Sequence, residues 1–485
     1  MIYVILDYGK VVIILTNKIQ MLDKTLVSEI LLENRCLNDL WELCDYGTRF
    51  AGTDGERKAR EFIVEKLNNF GLQAKQEPFE HQGWKRGTAR VEILEPFKRE
   101  LLTISLAGGP STDPEGIIGE IVSVGNGTPA EFNRVKESIK GNIVLSSSLA
   151  PKNECLPPRQ CHRRAKYGRA VEFGASAFIF MNSQRGMLPQ TGSLRQNKIG
   201  EIPAVTVPFE EGELLKRYLK MGKLKVRMTV ENESFTNKTA NIVGELPGKN
   251  EDDVVLIGGH YDCHDNSPGA GDNGSGVITI LELARILASK GVEFEKTIRF
   301  VFFGVEELAC VGSSFYVLNH LDELDKIKLM LNVDSPAARG GKTFDVGGFE
   351  DLGKFILQTS NDIFYPMKLR NPSFGGDQIS FIVRGIPAAS IRNSPTPGMF
   401  SYQGPITMED RGWGHTSGDT PDKIKAADIN EGAIIAGRVL IRAAEFKGPI
   451  ARHRKENEVN CLLKKYGMDE VLDYMQWPNI PIYPW

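Results

Sequence analysis

The sequence predicts an α/β protein built on a mixed, mostly parallel sheet flanked by helices, with a small β-rich domain inserted into it. Three observations carry this expectation. After residue 242 the chain alternates strand, loop, helix and strand; its strand candidates are largely apolar runs; and a central stretch changes to short apolar runs separated by Gly, Pro and polar loops. Largely apolar runs belong to strands covered on both faces by crossover helices, and short runs between turns belong to a compact β module. At 485 residues the chain has room for two or three domains with sizeable cores.

The first twenty residues, MIYVILDYGKVVIILTNKIQ, are apolar but interrupted by Asp7 and Lys10, and no basic region precedes them. That fits neither an export signal nor a membrane span, so the segment reads as an edge strand or as a start lying upstream of Met21, and a cytoplasmic protein is favoured over a secreted one. Over 56–70, Ala59, Phe62, Ile63, Leu67 and Phe70 recur at helical spacing between the turn AGTDG and Gly71, which predicts an amphipathic helix. Strand-like alternation follows.

Residues 113–238, with IIGEIVSVG, GNIVLSSS, ASAFIFMN and IPAVTVP, form the inserted module, and 22–112 with 239–446 form the domain it interrupts. In that second part VVLIGG is a buried strand, Val277, Ile280, Leu281, Ala284 and Leu287 mark a helix face, and TIRFVFFG and KLMLNVD are further strands. Residues 447–485 are an extension expected to pack on the body or on a second copy of the chain, which leaves a homo-oligomer open. Its own function is not legible.

Charge and cysteines narrow the partners. Lys plus Arg number 59 against 62 Asp plus Glu, a net charge of −3, so no overall field attracts nucleic acid, and no apolar run suggests a membrane partner. The seven cysteines lack a CxxC pair and are expected as thiols, Cys155 and Cys161 being the one pair near enough in sequence to close a small ring in an oxidising compartment.

The chemistry concentrates at strand ends, where ligands gather in doubly wound sheets. His260 and Asp262 follow VVLIGG, Asp272 lies in the loop PGAGDNGSG leading into a helix, Glu306 and Glu307 follow TIRFVFFG, Asp334 ends KLMLNVD, and His415 stands in GHTSGDTPDKI. Alone, His260 reads equally as a hydrogen-bonded core histidine, and the glutamate pair equally as caps on the positive end of the next helix. His260, Asp272, Glu307, Asp334 and His415 together offer two imidazoles and three carboxylates, a donor set suited to two Zn²⁺ ions bridged by a carboxylate. Asp272 is the natural bridge, because its loop reaches the centre. Two adjacent glutamates repel unless a cation lies between them; one then ligates while the other takes a proton from the attacking water. Asp262 is placed to orient His260. Of the remaining histidines, His81, His162, His320 and His453 stand in polar, helical or tail contexts, and His264 reads as a bystander to His260.

The segments GGHYDCHDNSPGAGDNGSGVITILELARIL, FVFFGVEELACVGSSFY, LNVDSP and GHTSGDTPDKI resemble the signature blocks of the M28 family of zinc aminopeptidases and carboxypeptidases. TRFAGTDGERKAREFIVEKLNNFGL resembles the family's N-terminal helix region, and TANIVGELPGK the strand leading back into its catalytic domain. The resemblance implies a zinc-exopeptidase fold of the phosphorylase/hydrolase-like type, with Asp272 bridging two zinc ions, His260 and Asp334 on one, Glu307 and His415 on the other. It also implies Glu306 as general base and Asp262 as support for His260. KGNIV and EFGASAFIFMN make the insertion similar to the protease-associated (PA) domain, a cover or specificity wall in such enzymes. Three positions depart from the pattern: Gln378 for a frequent histidine, Ala309 for Gly and Cys263 for Ser. Cys263 is expected to be buried and inert.

The expected function is a di-zinc exopeptidase that removes N-terminal residues from peptides. One rival is a carboxypeptidase or dipeptidase of the same family, which needs a cation such as Arg339, Arg384, Arg392 or Arg411 for the substrate carboxylate. Another is a non-catalytic receptor on the same fold, which predicts missing ligands.

Overall fold

The structure is a computed structural model, and it describes residues 2–33, 35–149, 158–337, 340–394, 400–401, 404–405 and 413–475. In chain order the strands of its main sheet are β1 (Lys75–Glu95), β2 (Arg99–Leu101), β3 (Ile104–Ser105), β4 (Ile117–Ser123), β5 (Ile143–Ser147), β6 (Ala177–Met181) and β7 (Ala204–Val207). They continue with β8 (Lys225–Leu246), β9 (Asn250–His260), β10 (Lys296–Phe303), β11 (Ile327–Val333), β12 (Gly341–Asp345), β13 (Lys368–Arg370) and β14 (Ala388–Ser394).

Strands lie in the order β13, β12, β14, β11, β9, β10, β8, and the core pairs β14–β11, β11–β9 and β9–β10 are all parallel. The expected mixed, mostly parallel sheet is therefore present. Its centre is apolar on both sides: Val255, Leu256 and Ile257 of β9 are fully buried, as are Phe300 to Phe303 of β10 and Leu329 to Leu331 of β11. Each such side chain contributes about 1.5–3 kcal/mol on leaving water. Helix Ser275–Ser289 packs on β9, β10 and β11, and Ala426–Glu445 packs beside it, with Ile2–Glu33 and Cys36–Asp45 against these two. The helix expected over 56–70 is Asp54–Asn69, with Thr53 capping it by accepting from the Glu56 amide.

The N-terminal segment corrects the sequence reading. It is a helix, Ile2–Glu33, and not an edge strand. Leu22, Leu26 and Ile30, four residues apart, are buried toward Ala426–Glu445, and Asp23 pairs with Arg438 at 2.9 Å and Arg442 at 2.8 Å. An apolar stretch with so few charges satisfies either period, and the partner helix decides it. Among the described residues no helix is long and apolar enough to cross a membrane.

In the inserted module β4, β5, β6 and β7 are parallel neighbours around which helices Pro129–Ile139, Arg163–Glu172 and Phe209–Leu219 fold. β1 and β8 form one long antiparallel ribbon: residues 226–228 of β8 pair with β4, and residues 242–246 with β10. The inserted sheet and the main sheet thus share a strand. Cys161 is a buried thiol; Cys155 lies outside the described residues.

Helices Glu456–Lys465 and Met468–Met475 of the C-terminal extension pack on the body. The second also reaches the inserted module, where Glu470 pairs with Arg169 at 3.0 Å and Tyr474 donates to Glu172 at 2.6 Å.

Candidate metal centre

Parallel pairing brings the carboxyl ends of β9, β10 and β11 to one edge, and the residues expected there arrive together. His260 closes β9, Glu306 and Glu307 follow β10, and Asp334 follows β11. Gly259 and Gly276 explain the close approach of the Asp272 loop. A Cβ on Gly259 would stand 2.4 Å from the Val333 carbonyl, and one on Gly276 would stand 2.1 Å from Asn273 Oδ1. Bare backbone at both points lets the loop lie against the strand ends.

Asp272 turns its two oxygens to two histidines: Oδ1 is 3.3 Å from His260 Nε2, and Oδ2 is 3.2 Å from His415 Nε2. Asp334 Oδ1 is 3.8 Å from His260 Nε2, and Glu307 Oε2 is 3.5 Å from His415 Nε2. Donor atoms of His260, Asp272 and Asp334 lie within 4.8 Å of one another, as do those of His260, Glu306 and Glu307. His415 reaches the centre from a loop whose backbone is left-handed at this residue (φ 64°).

Asp262 does more than expected. Its backbone carbonyl faces His260 Nδ1 at 3.1 Å, its Oδ1 lies 3.5 Å from the same nitrogen, and its carboxylate accepts from the amides of Glu306 (2.9 Å) and Glu307 (3.1 Å). It holds the glutamate turn as well as the imidazole. That turn is not a helix cap: the next helix is Val311–Asn319, with no acid in its first turn.

The acids are packed at a density that metal-free protein resists. Burial pushes the carboxyls of Glu306 and Glu307 up, further helped by Asp272 for Glu307, and burial with the Glu306 charge raises Asp377 well above the usual range. For Asp334 burial is outweighed by Arg392, whose Nη1 lies 2.8 Å from Oδ2, and the carboxyl is held below the usual range. Burial of His260 is likewise outweighed by Asp262, Asp272 and Asp334, which raise its pKa.

Comparison with known proteins places this constellation. Peptidase family M28 matches over residues 241–439 and the PA domain over 117–215. The chain is 30% identical over 434 residues to aminopeptidase YwaD of Bacillus subtilis (strain 168), covering 87% of this chain and 86% of that one. The chain belongs to peptidase family M28. Carboxypeptidase Q of Rattus norvegicus is 25% identical over 87% of both chains. An aminopeptidase from Aneurinibacillus sp. strain AM-1 superposes with a TM-score of 0.66 at 25% identity, covering 89% of this chain and 98% of its own. A zinc aminopeptidase from Bacillus subtilis superposes with a TM-score of 0.64 at 26% identity, covering 87% and 97%. The expected family, its PA domain and a metallopeptidase are therefore established for this chain.

Within this M28 fold, several residues that the sequence did not single out shape the centre. Asn273 donates to the carbonyls of His260 (3.1 Å) and Val333 (2.9 Å) and accepts from the amides of Gly276 (3.1 Å) and Ser335 (2.9 Å). Asp419 accepts from the amides of Gly271 (2.7 Å) and Asp272 (3.0 Å), which fixes the bridge loop. The PA domain contributes Thr191, whose carbonyl faces His415 Nδ1 at 3.2 Å and leaves Nε2 toward Asp272. His264, read as a bystander, lies inside the cluster, with Nε2 2.8 Å from Glu307 Oε2. Gln378 is buried, bonded to Gly375 and Asn332. Cys263 is buried, with its thiol pushed up to about 11 by desolvation. Arg339 and Arg411 lie outside the described residues.

A small pocket opens beside Cys310, whose Sγ is 3.3 Å from Glu306 Oε1. Phe374 and Ile379 of the peptidase domain, Arg164 of the PA domain and Val471 and Leu472 of the C-terminal helix line it. The extension is part of the wall around the centre.

Proposed function

We propose that this chain is a di-zinc aminopeptidase, with Asp272 bridging, His260 and Asp334 on one ion, Glu307 and His415 on the other, and Glu306 as general base. The reading rests on Asp272, whose two oxygens face two different histidines at 3.3 Å and 3.2 Å. The donor set fits zinc: imidazole nitrogens and carboxylate oxygens converge, and Glu307 Oε1 is buried with no hydrogen-bond partner, a cost that a cation removes. When bound, two such ions supply Lewis acidity for the attacking water and the scissile carbonyl.

The chain's own groups do the rest. Glu306 follows β10, its amide held by Asp262, and its carboxylate carries no ligating duty in this assignment. It removes the proton of the attacking water and returns it to the leaving amine. Glu306→Gln is expected to keep both metals by elemental analysis and to lose about 10²–10⁴-fold in kcat; a variant with full turnover would remove Glu306 from this role.

The preference for an N-terminus follows from charge. The centre is ringed by carboxylates, with Asp377 buried beside them near Ser313, and such a ring suits an ammonium group. Arg392, the cation of the centre, is committed to Asp334 and the Gly375 carbonyl. The rival reading has one observation in its favour, Arg164 on the cavity beside Cys310. Aminoacyl anilides are expected to be cleaved and N-blocked dipeptides spared; the reverse result would make the chain a carboxypeptidase.

A further inference from the structure

We infer that His264 is an additional ligand of the centre, joining Glu307, His415 and one oxygen of Asp272 around the same ion. The inference rests on the dinuclear reading above and extends its donor set by one residue. The ion on that side would be held by four protein donors, whereas the ion at His260 and Asp334 would keep a position open. Four protein donors would hold the first ion more tightly than the second while still allowing it a fifth ligand.

Three observations carry it. The His264 side chain is buried, with 2% of the residue's surface exposed, and neither ring nitrogen makes a hydrogen bond. An imidazole stripped of water on both nitrogens costs about 1–3 kcal/mol per orphaned group, so it requires a partner of another kind.

The second observation is distance. Donors about 2.0–2.2 Å from a tetrahedral zinc stand roughly 3.3 Å from one another. Around this point, His264 Nε2 lies 2.8 Å and His415 Nε2 3.5 Å from Glu307 Oε2, and His415 Nε2 lies 3.2 Å from Asp272 Oδ2. The donor atoms of His264, Glu307 and His415 all lie within 4.8 Å of one another.

The third is that the ring is held in this position. Phe50 stacks on it at 6.3 Å with planes 22° apart, and His415 meets it edge-on at 4.3 Å. Its backbone is anchored by Thr48, which donates to the His264 carbonyl at 3.0 Å. Arg49 holds the loop between His260 and His264's far side, donating to the carbonyls of Tyr261 (2.8 Å) and Gly269 (3.0 Å). A ring fixed on two sides, whose Nε2 meets only the Glu307 carboxylate, is aimed at the point where the ion would lie.

The test is metal binding by the full chain, loaded with Zn²⁺ and titrated against a chromophoric chelator, for wild type, His264→Ala, His264→Gln and His415→Ala. Zinc X-ray absorption on saturated samples counts imidazoles per ion, and circular dichroism melts of the metal-free variants check folding. Wild type is expected to bind two ions and average about 1.5 imidazoles per ion. Both His264 variants are expected to weaken one ion by about 10–100-fold or more, and to lower the average toward about one. If His264→Gln holds both ions as wild type does while His415→Ala releases one, His264 is no ligand and the dinuclear reading stands. If His415→Ala also holds both, the dinuclear reading itself fails and this inference with it.

Discussion

The Asn273 side chain uses both ends of its amide: the nitrogen gives to the last carbonyls of β9 and β11, and the oxygen takes two amides where the next helix and the segment after Asp334 begin. One of the four groups belongs to His260, two flank Asp334, and Asp272 directly precedes Asn273. Asn273→Ala leaves four buried backbone groups without partners and is expected to cost about 3 kcal/mol or more in urea unfolding of the metal-free protein. Asn273→Asp is expected to fare no better, because a carboxylate cannot donate to the two carbonyls. A loss under about 1 kcal/mol for Asn273→Ala would show that water replaces the amide. At this scale the sequence was readable where a side chain leaves a strand directly or, as with Asp272 and His415, stands in a loop block that resembles the family's. His260, Glu307 and Asp334 do so and were legible from their placement. Asn273 and Asp419 act through backbone groups, and His264 through a loop folded by Arg49, so no spacing along the chain announced them.

At the scale of elements, the runs around residues 254–259, 297–304 and 328–334 were legible as strands because each is mainly apolar, and 56–70 as a helix because its period is clear. The N-terminal helix was not, since its apolar run suits either period until Ala426–Glu445 is packed against it. Nor was the role of the C-terminal extension legible, because it depends on a contact between elements some 300 residues apart. Helix Met468–Met475 crosses from the peptidase domain to the PA domain, and Gly168 is where it fits: a Cβ there would stand 2.3 Å from the Tyr474 ring. Gly168→Ala is therefore expected to loosen the helix by about 1–3 kcal/mol while both domain cores persist. Limited proteolysis should then cut the chain after residue 450 faster than in wild type. Equal cutting rates would mean that Tyr474 moves aside freely.

For the whole molecule, a net charge of −3 conceals how unevenly the charge is placed. The acids of the centre lie at the ends of the most buried strands, and without metal they hold their protons more tightly folded than unfolded. Glu306, Glu307 and Asp377 are raised chiefly by burial, and Asp419 is pushed from 3.8 up to about 6 by the same cause. A carboxyl raised on folding contributes stability that is complete below its unfolded pKa and lost as pH climbs through the folded value; for Asp419 alone the shift amounts to about 3 kcal/mol. His260, raised by its acidic neighbours, loses its contribution in the same direction at higher pH. Asp334 is depressed, so its contribution is lost only in strong acid and is constant near neutrality. Lys166 of the PA domain opposes the trend, but only above its lowered value of about 7. Between pH 4.5 and 6.5 the buried histidines His264 and His81, both lowered by desolvation, oppose the carboxyls, but the four raised carboxyls outnumber them, and chelator-treated protein is expected to lose thermal stability as pH rises. Zinc-loaded protein should not follow it, because divalent charge among the carboxylates favours their ionised forms, and binding releases protons more readily as pH rises. The gap in Tm between the two should widen steadily across this window. Parallel curves would mean that the carboxylates titrate independently of the metal, and would separate the acid cluster from the site it is proposed to build.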